Sequence, residues 1–93
     1  MTWAKKVDAN QAEIVETLRQ TGMSVITLHR VGQGCPDLLV GFGGRNYLLE
    51  IKNKHSDLNV PEMDFHLTWR GQVAVIRSAD QALDYIMDDL DNE

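Results

Sequence analysis

The sequence predicts an α/β domain: a central mixed β-sheet flanked by helices, in the order α-β-β-β-α-β-α. Three observations carry this prediction. Two apolar runs, DLLVGF and NYLLEIK, flank the pair Gly43-Gly44, which is the pattern of a tight β-hairpin. Neither run alternates strictly, so both faces of the sheet are expected to be covered. After the hairpin, a helix-like stretch leads to one more β-branched run, QVAVIR. A strand, a helix and a further strand predict a crossover that adds a parallel neighbour, which makes the sheet mixed.

The elements follow in order. Residues 1–7 read as a loose arm carrying Trp3, Lys5 and Lys6. A first helix starts near Asp8 or Asn10, where Asn10 and Glu13 have the spacing of a capping box, and Gly22 suits its end. Ile14, Val15 and Leu18 form its apolar face. SVITLHR is rich in β-branched residues and reads as a strand. VGQGCP is a bend, the hairpin comes next, and NKHSDLN is a polar loop. Val60-Pro61 opens a second helix through about Trp69, with Pro61 in its first turn and Gly71 beyond its end. QVAVIR is the last strand. Ser78 and Gln81 cap a final helix whose core stripe is Ala79, Ala82, Leu83, Ile86, Met87 and Leu90.

With 93 residues the chain is expected to be one domain, 1–93. No apolar run approaches the roughly 18 residues of a membrane helix. The N-terminus lacks the apolar segment of a secretory signal. Cys35 is the only cysteine, which excludes an internal disulfide framework and fits a reducing cytoplasm. The net charge of −5 is unevenly spread: Asp80 to Glu93 hold six acids and no Lys or Arg, leaving nine bases and eight acids in residues 1–79. The body is near neutral, residues 88–93 form an acidic tail, and charge alone does not exclude a nucleic-acid partner. Such a tail also suits docking to a basic partner, or simple solubility.

The hairpin makes the sharpest prediction. A loop at the two glycines pairs Phe42 with Arg45, Val40 with Tyr47, Leu38 with Leu49 and, one step further, Asp37 with Glu50. Directly opposed residues have Cβ atoms about 4.5–5.5 Å apart, and like charges so placed are destabilising. Period-two alternation adds Lys52 to the face of Glu50. Taken singly, Pro-Asp is a common turn pair and Glu-x-Lys a common solvated strand face. At one register beside apolar runs, the three make a cluster whose cost needs an ammonium or a divalent cation to offset it.

Pro36-Asp37 followed by Glu50-Ile51-Lys52 resembles the PD-(D/E)xK nuclease superfamily. More narrowly, GQGCPDLLVGFGGRNYLLEIK with a Pro-opened helix and GQVAVIRSADQAL resembles a small stand-alone virus-type replication-repair nuclease domain of phage type, over about Asp8 to Leu83. The resemblance implies a restriction-endonuclease-like fold and Mg2+- or Mn2+-dependent phosphodiester hydrolysis. It also implies a homodimer that cuts branched DNA, such as the four-way junctions of recombination and repair. For a phage-encoded chain the place of action is the host cytoplasm. By position, Asp37 and Glu50 would be metal ligands, the Ile51 backbone carbonyl a further ligand, and Lys52 the residue that orients water and stabilises charge on the phosphate. The superfamily often adds an acid from the first helix. Glu13 is the charged candidate and Gln11 the alternative, while capping explains Glu13 equally well. Relatives often carry Gln in the first turn of the second helix, where this chain has Glu62, Met63 and Asp64.

Further candidates for DNA contact are His29, Arg30, Arg45, Lys54 and His55, together with Lys5 and Lys6 of the arm. Basic side chains of this kind position a phosphate backbone rather than read sequence. A satisfied polar group accounts for His29 as well, and a solvated loop for Lys54 and His55. Phe65 and Trp69, at helical spacing, suit the core or a dimer interface better than base stacking, and Met23 and Met63 read as packing residues.

Overall fold

The computed structural model describes residues 9–92. The expected arm with Lys5 and Lys6 lies outside the described residues.

Helix α1 spans Gln11–Gln20 and buries Gln11, Ile14, Val15 and Leu18. The expected Asn10–Glu13 capping box does not form: Asn10 has helical backbone angles and its side chain makes no cap. Its Nδ2 instead donates to the carbonyls of Lys52 and Arg77, both at 3.2 Å. Two carbonyls at the ends of neighbouring strands outcompete the local partner, so Asn10 fastens the start of α1 to the sheet. The helix closes with a Schellman motif: Gly22, at φ +93°, donates to Arg19 O, and Met23 N reaches back to Leu18 O.

Strand β1 is Ser24–Thr27, shorter than the seven residues expected. Leu28 N still donates to Asp37 O at 2.7 Å, but the chain then turns, with Val31 N bonding Leu28 O. His29 and Arg30 therefore lie exposed in a turn rather than at a strand end. Strands β2 (Leu38–Phe42) and β3 (Arg45–Ile51) pair antiparallel in the expected register, Phe42 with Arg45 through Leu38 with Leu49. Gly43 and Gly44 both have positive φ, 61° and 78°, as a two-residue type I′ turn requires. Helix α2 (Val60–Thr68) crosses over to β4 (Val73–Ile76), which lies parallel to β3, and α3 (Ala79–Asp91) ends the chain. The sheet order is β1-β2-β3-β4, mixed and flanked by helices.

One sheet face carries the core. Leu38, Val40, Tyr47, Leu49, Ile51 and Ile76 pack there with Ile14 and Leu18 of α1 and Ala82 and Ile86 of α3. Ala79, Leu83, Met87 and Leu90 complete the stripe expected of α3, and Met23 is buried as expected. The acidic segment 88–93 is not a separate tail: α3 runs into it as far as Asp91. Asp89 Oδ2 accepts from Tyr47 Oη at 2.8 Å, Arg45 at 2.9 Å and Gln72 at 3.0 Å. Those hydrogen bonds, the Tyr47 one foremost, hold the Asp89 carboxyl below the usual range. Burial first, then the Asp89 contact, pushes the Tyr47 phenol up to about 12.

The other face is covered unevenly. Leu48 is buried and Leu39 half-buried, but Ile26 is exposed. A cavity of about 690 Å3 lies over this face, lined by Leu39 and Leu48 of the sheet and by Phe65 and Trp69 near α2. The two aromatic rings stack at 5.0 Å. Met63 is exposed, contrary to the packing role expected of it, because α2 turns a single residue, Glu62, fully inward.

Candidate active site

Among the described residues three acids are buried: Asp37 at 5%, Glu50 at 1% and Glu62 at 2% exposure. Buried carboxylates are costly unless paired or used. Asp37 stands just before β2, where the register carries it opposite Glu50. Its Oδ2 accepts the Ile51 amide at 2.7 Å, which locks this carboxylate across the end of the hairpin. Lys52 follows β3, and its own amide donates to Ile76 O, so the strand ladder holds it past its formal end. The Lys52 ammonium lies 3.8 Å from Glu50 Oε2 and 2.9 Å from Glu62 Oε1. The expected cluster of Asp37, Glu50 and Lys52 is thus brought together at one end of the sheet, with a fourth member that the sequence reading had not assigned.

Glu62 arrives there by local chemistry. Asn59 Oδ1 accepts from Glu62 N and Glu62 Oε1 accepts from Asn59 N, both at 2.9 Å, forming a complete capping box. The signal was present in the Asn59-x-x-Glu62 spacing. The bend before β2 sets the position of this turn. Gly34, at φ +76°, lies so close to α2 that a Cβ on it would stand 2.2 Å from Pro61 O. The same bend leads within three residues to Asp37.

On α1 the two candidates separate. Gln11 is buried and lines a groove of about 580 Å3 with Val15, Arg19 and Thr27, whereas Glu13 is exposed. Gln11 Oε1 is buried without a hydrogen-bond partner among the described residues. Of the pair, Gln11 is therefore the one that the helix turns inward.

The basic candidates scatter. His29 and Arg30 are exposed in the turn that the Leu28–Asp37 hydrogen bond ties to the cluster end of the sheet. Lys54 and His55 are exposed in the loop after Lys52. Arg77 shapes that loop, donating to the carbonyls of Asn53 and Ser56 and facing Asp57 at 3.6 Å. Arg45 opens β3, seven positions from Lys52, or about 23 Å along the strand at ~3.3 Å per residue. It is paired with Asp89 there, an arrangement that secures α3 to the sheet. His66, one turn beyond Glu62, has its pKa lowered by burial, with the Glu62 charge opposing.

A hard divalent cation of the Mg2+ or Mn2+ kind is commonly held by one or two carboxylates, with waters and substrate oxygens completing its shell. Asp37 and Glu50, buried and opposed, fit that demand. Among the described residues no group of three or more His, Cys, Asp or Glu forms a metal-binding cluster by itself. Also among them, no helix is long and apolar enough to cross a membrane. No family model, no curated protein and no solved structure matches this chain.

Proposed function

We propose that this chain is a metal-dependent, structure-selective DNA endonuclease on a restriction-endonuclease-like fold. In this reading it acts as a homodimer on branched substrates such as four-way junctions. The observation that carries the reading is the burial of Asp37 and Glu50 opposite one another at the end of a hairpin, with the Lys52 ammonium beside them.

In this reading Asp37 and Glu50 hold Mg2+ or Mn2+, with the Ile51 carbonyl as a further oxygen ligand. When bound there, such a cation would supply an acidified water and neutralise phosphate oxygens. The Ile51 amide keeps Asp37 from rotating, so its ligand geometry is set before substrate arrives. Lys52 offers a donor and a positive charge at the place where charge accumulates on the phosphate. Of the two helix-one candidates, this reading takes the inward-facing Gln11 as the one that would help position a ligand or water. His29, Arg30, Lys54 and His55 would contact flanking phosphates. The dimer would use the weakly covered face, where Ile26, Leu67 and Trp69 are exposed.

The alternative is a catalytically silent DNA-binding or assembly module on the same fold. One observation favours it: the Lys52 ammonium stands closer to Glu62, at 2.9 Å, than to Glu50, at 3.8 Å. The deciding assay incubates the protein with an end-labelled four-way junction and a matched linear duplex, in Mg2+, in Mn2+ and in EDTA. Metal-dependent paired nicks on the junction, lost in Asp37→Asn, are the expected outcome. Equal cutting of both substrates would remove the branch selectivity. No cutting in either metal would move the assignment to the silent module.

A further inference from the structure

We infer that Glu62 is a positioning residue for Lys52: its carboxylate sets where the ammonium stands relative to the Asp37–Glu50 pair. The inference rests on the nuclease reading for its consequence, but on geometry for its substance. Glu62 is 2% exposed and is the one residue of α2 that is fully buried. Its Oε1 receives both the Asn59 amide and the Lys52 ammonium, each at 2.9 Å. Glu50 Oε2, on the strand that carries Lys52, is at 3.8 Å, beyond hydrogen-bonding distance.

An ammonium largely withdrawn from water, as on the 13%-exposed Lys52 side chain, is costly without a counter-charge. If position 62 were neutral, the lysine would turn to Glu50, whose Oε2 already stands 3.8 Å away. There it would compete with a cation for the same oxygen and leave the place where a phosphate would be met. A negative charge on α2 therefore draws the Lys52 ammonium to 2.9 Å from Glu62, while Glu50 Oε2 stays at 3.8 Å. The Gly34 contact fixes the height of the first turn of α2 and thereby the distance over which this works. In this account Glu62 meets no substrate; it acts through Lys52.

Glutamine at position 62 retains an oxygen for the Asn59 amide and so preserves the cap, while removing the charge. Four proteins make the test: wild type, Glu62→Gln, Lys52→Met and the double variant. Two readouts are taken on each. The first is the 1H–15N signal of the Lys52 ammonium by NMR, which needs no activity. The second is the single-turnover cleavage rate of the four-way junction at saturating Mn2+, with melting temperature as the folding control. Glu62→Gln is expected to fold, to shift or broaden the Lys52 signal, and to lose about 10- to 100-fold in rate, the usual cost of removing an orienting partner. In the Lys52→Met background the same change is expected to have no further effect on rate. An unchanged Lys52 signal in Glu62→Gln overturns the inference whatever the activity, and so does an equal rate loss in both backgrounds. A wild type that cuts nothing, while its Lys52 signal still depends on Glu62, overturns the nuclease reading and supports the positioning.

Discussion

Replacing Gly34 with alanine puts a methyl group where the structure has no room for one. The new Cβ would lie 2.2 Å from Pro61 O and 3.0 Å from Glu62 N, both backbone atoms that cannot rotate away. Two costs add. A left-handed φ in a residue with a Cβ costs about 1–2 kcal/mol. Forcing an atom into a packed contact costs about 1–3 kcal/mol more. The total, about 2–5 kcal/mol, is a large part of the ~5–15 kcal/mol that holds a domain together. For a domain of this length each kcal/mol shifts Tm by roughly 4–8 °C, so the drop should exceed about 8 °C. Gly32 is an internal control: its φ is +75°, nearly the same, but nothing lies within 4 Å of its Cβ position. Gly32→Ala should show the backbone cost alone. Thermal and urea unfolding of both variants, followed by circular dichroism, separates the two contributions. If Gly34→Ala were no less stable than Gly32→Ala, the close packing of the bend on α2 would be refuted.

Other outcomes follow from the same contacts. Asn10→Ala loses two hydrogen bonds to strand-end carbonyls and should cost about 1–3 kcal/mol, measured by urea denaturation, with amide exchange increasing at the start of α1. The Tyr47 phenol is raised from 10.0 to about 12, so the folded state holds its proton where the unfolded chain releases it. Stability should be intact below pH 10 and fall as the pH rises towards 12, and Tyr47→Phe should flatten that alkaline loss. Asp89 is shifted the other way, so its contribution is present above the ordinary carboxylate range and disappears as acid protonates it. Asp89→Asn should be less stable at neutral pH and show a weaker acid dependence of Tm. Glu50→Gln should abolish the heat of Mn2+ binding in calorimetry while leaving the far-ultraviolet spectrum unchanged; an unaltered heat would remove Glu50 from the ligand set.

The hairpin was legible because its information is local. Two glycines fix a turn type, the turn fixes the register, and the register delivers Asp37 to Glu50 without reference to the rest of the chain. The α3 stripe was legible for the same reason, since one period over one helix names its buried face. The failures share an opposite cause. Asn10 has the spacing of a cap, but carbonyls of Lys52 and Arg77, distant in sequence, claim its side chain. The β-branched composition of SVITLHR favours a strand, yet the partner strand begins only at Leu38, so pairing stops early. Arg45 resembles a phosphate contact until α3 folds back and places Asp89 on it. The Glu62 capping box is visible in the sequence, but nothing local says that the same carboxylate will meet Lys52. Charge favours Glu13 over Gln11, and only the packed helix shows that Gln11 is the one that faces inward.

Most helices of a small domain are held by an oily stripe, and releasing one means melting the core. Helix α2 is different, because the residue it buries is an acid clasped by a lysine, while Val60, Met63, Leu67 and the neighbouring Trp69 stay in solvent. Such a segment can lift away as a unit while the sheet and the α1–α3 layer packed on its other face remain intact. In native-state hydrogen exchange, α2 amides should open at a far smaller free energy than those of β2 and β3. The fold would then outlast its own cluster: mild denaturant would scatter Lys52 and Glu62 well before the protein unfolds.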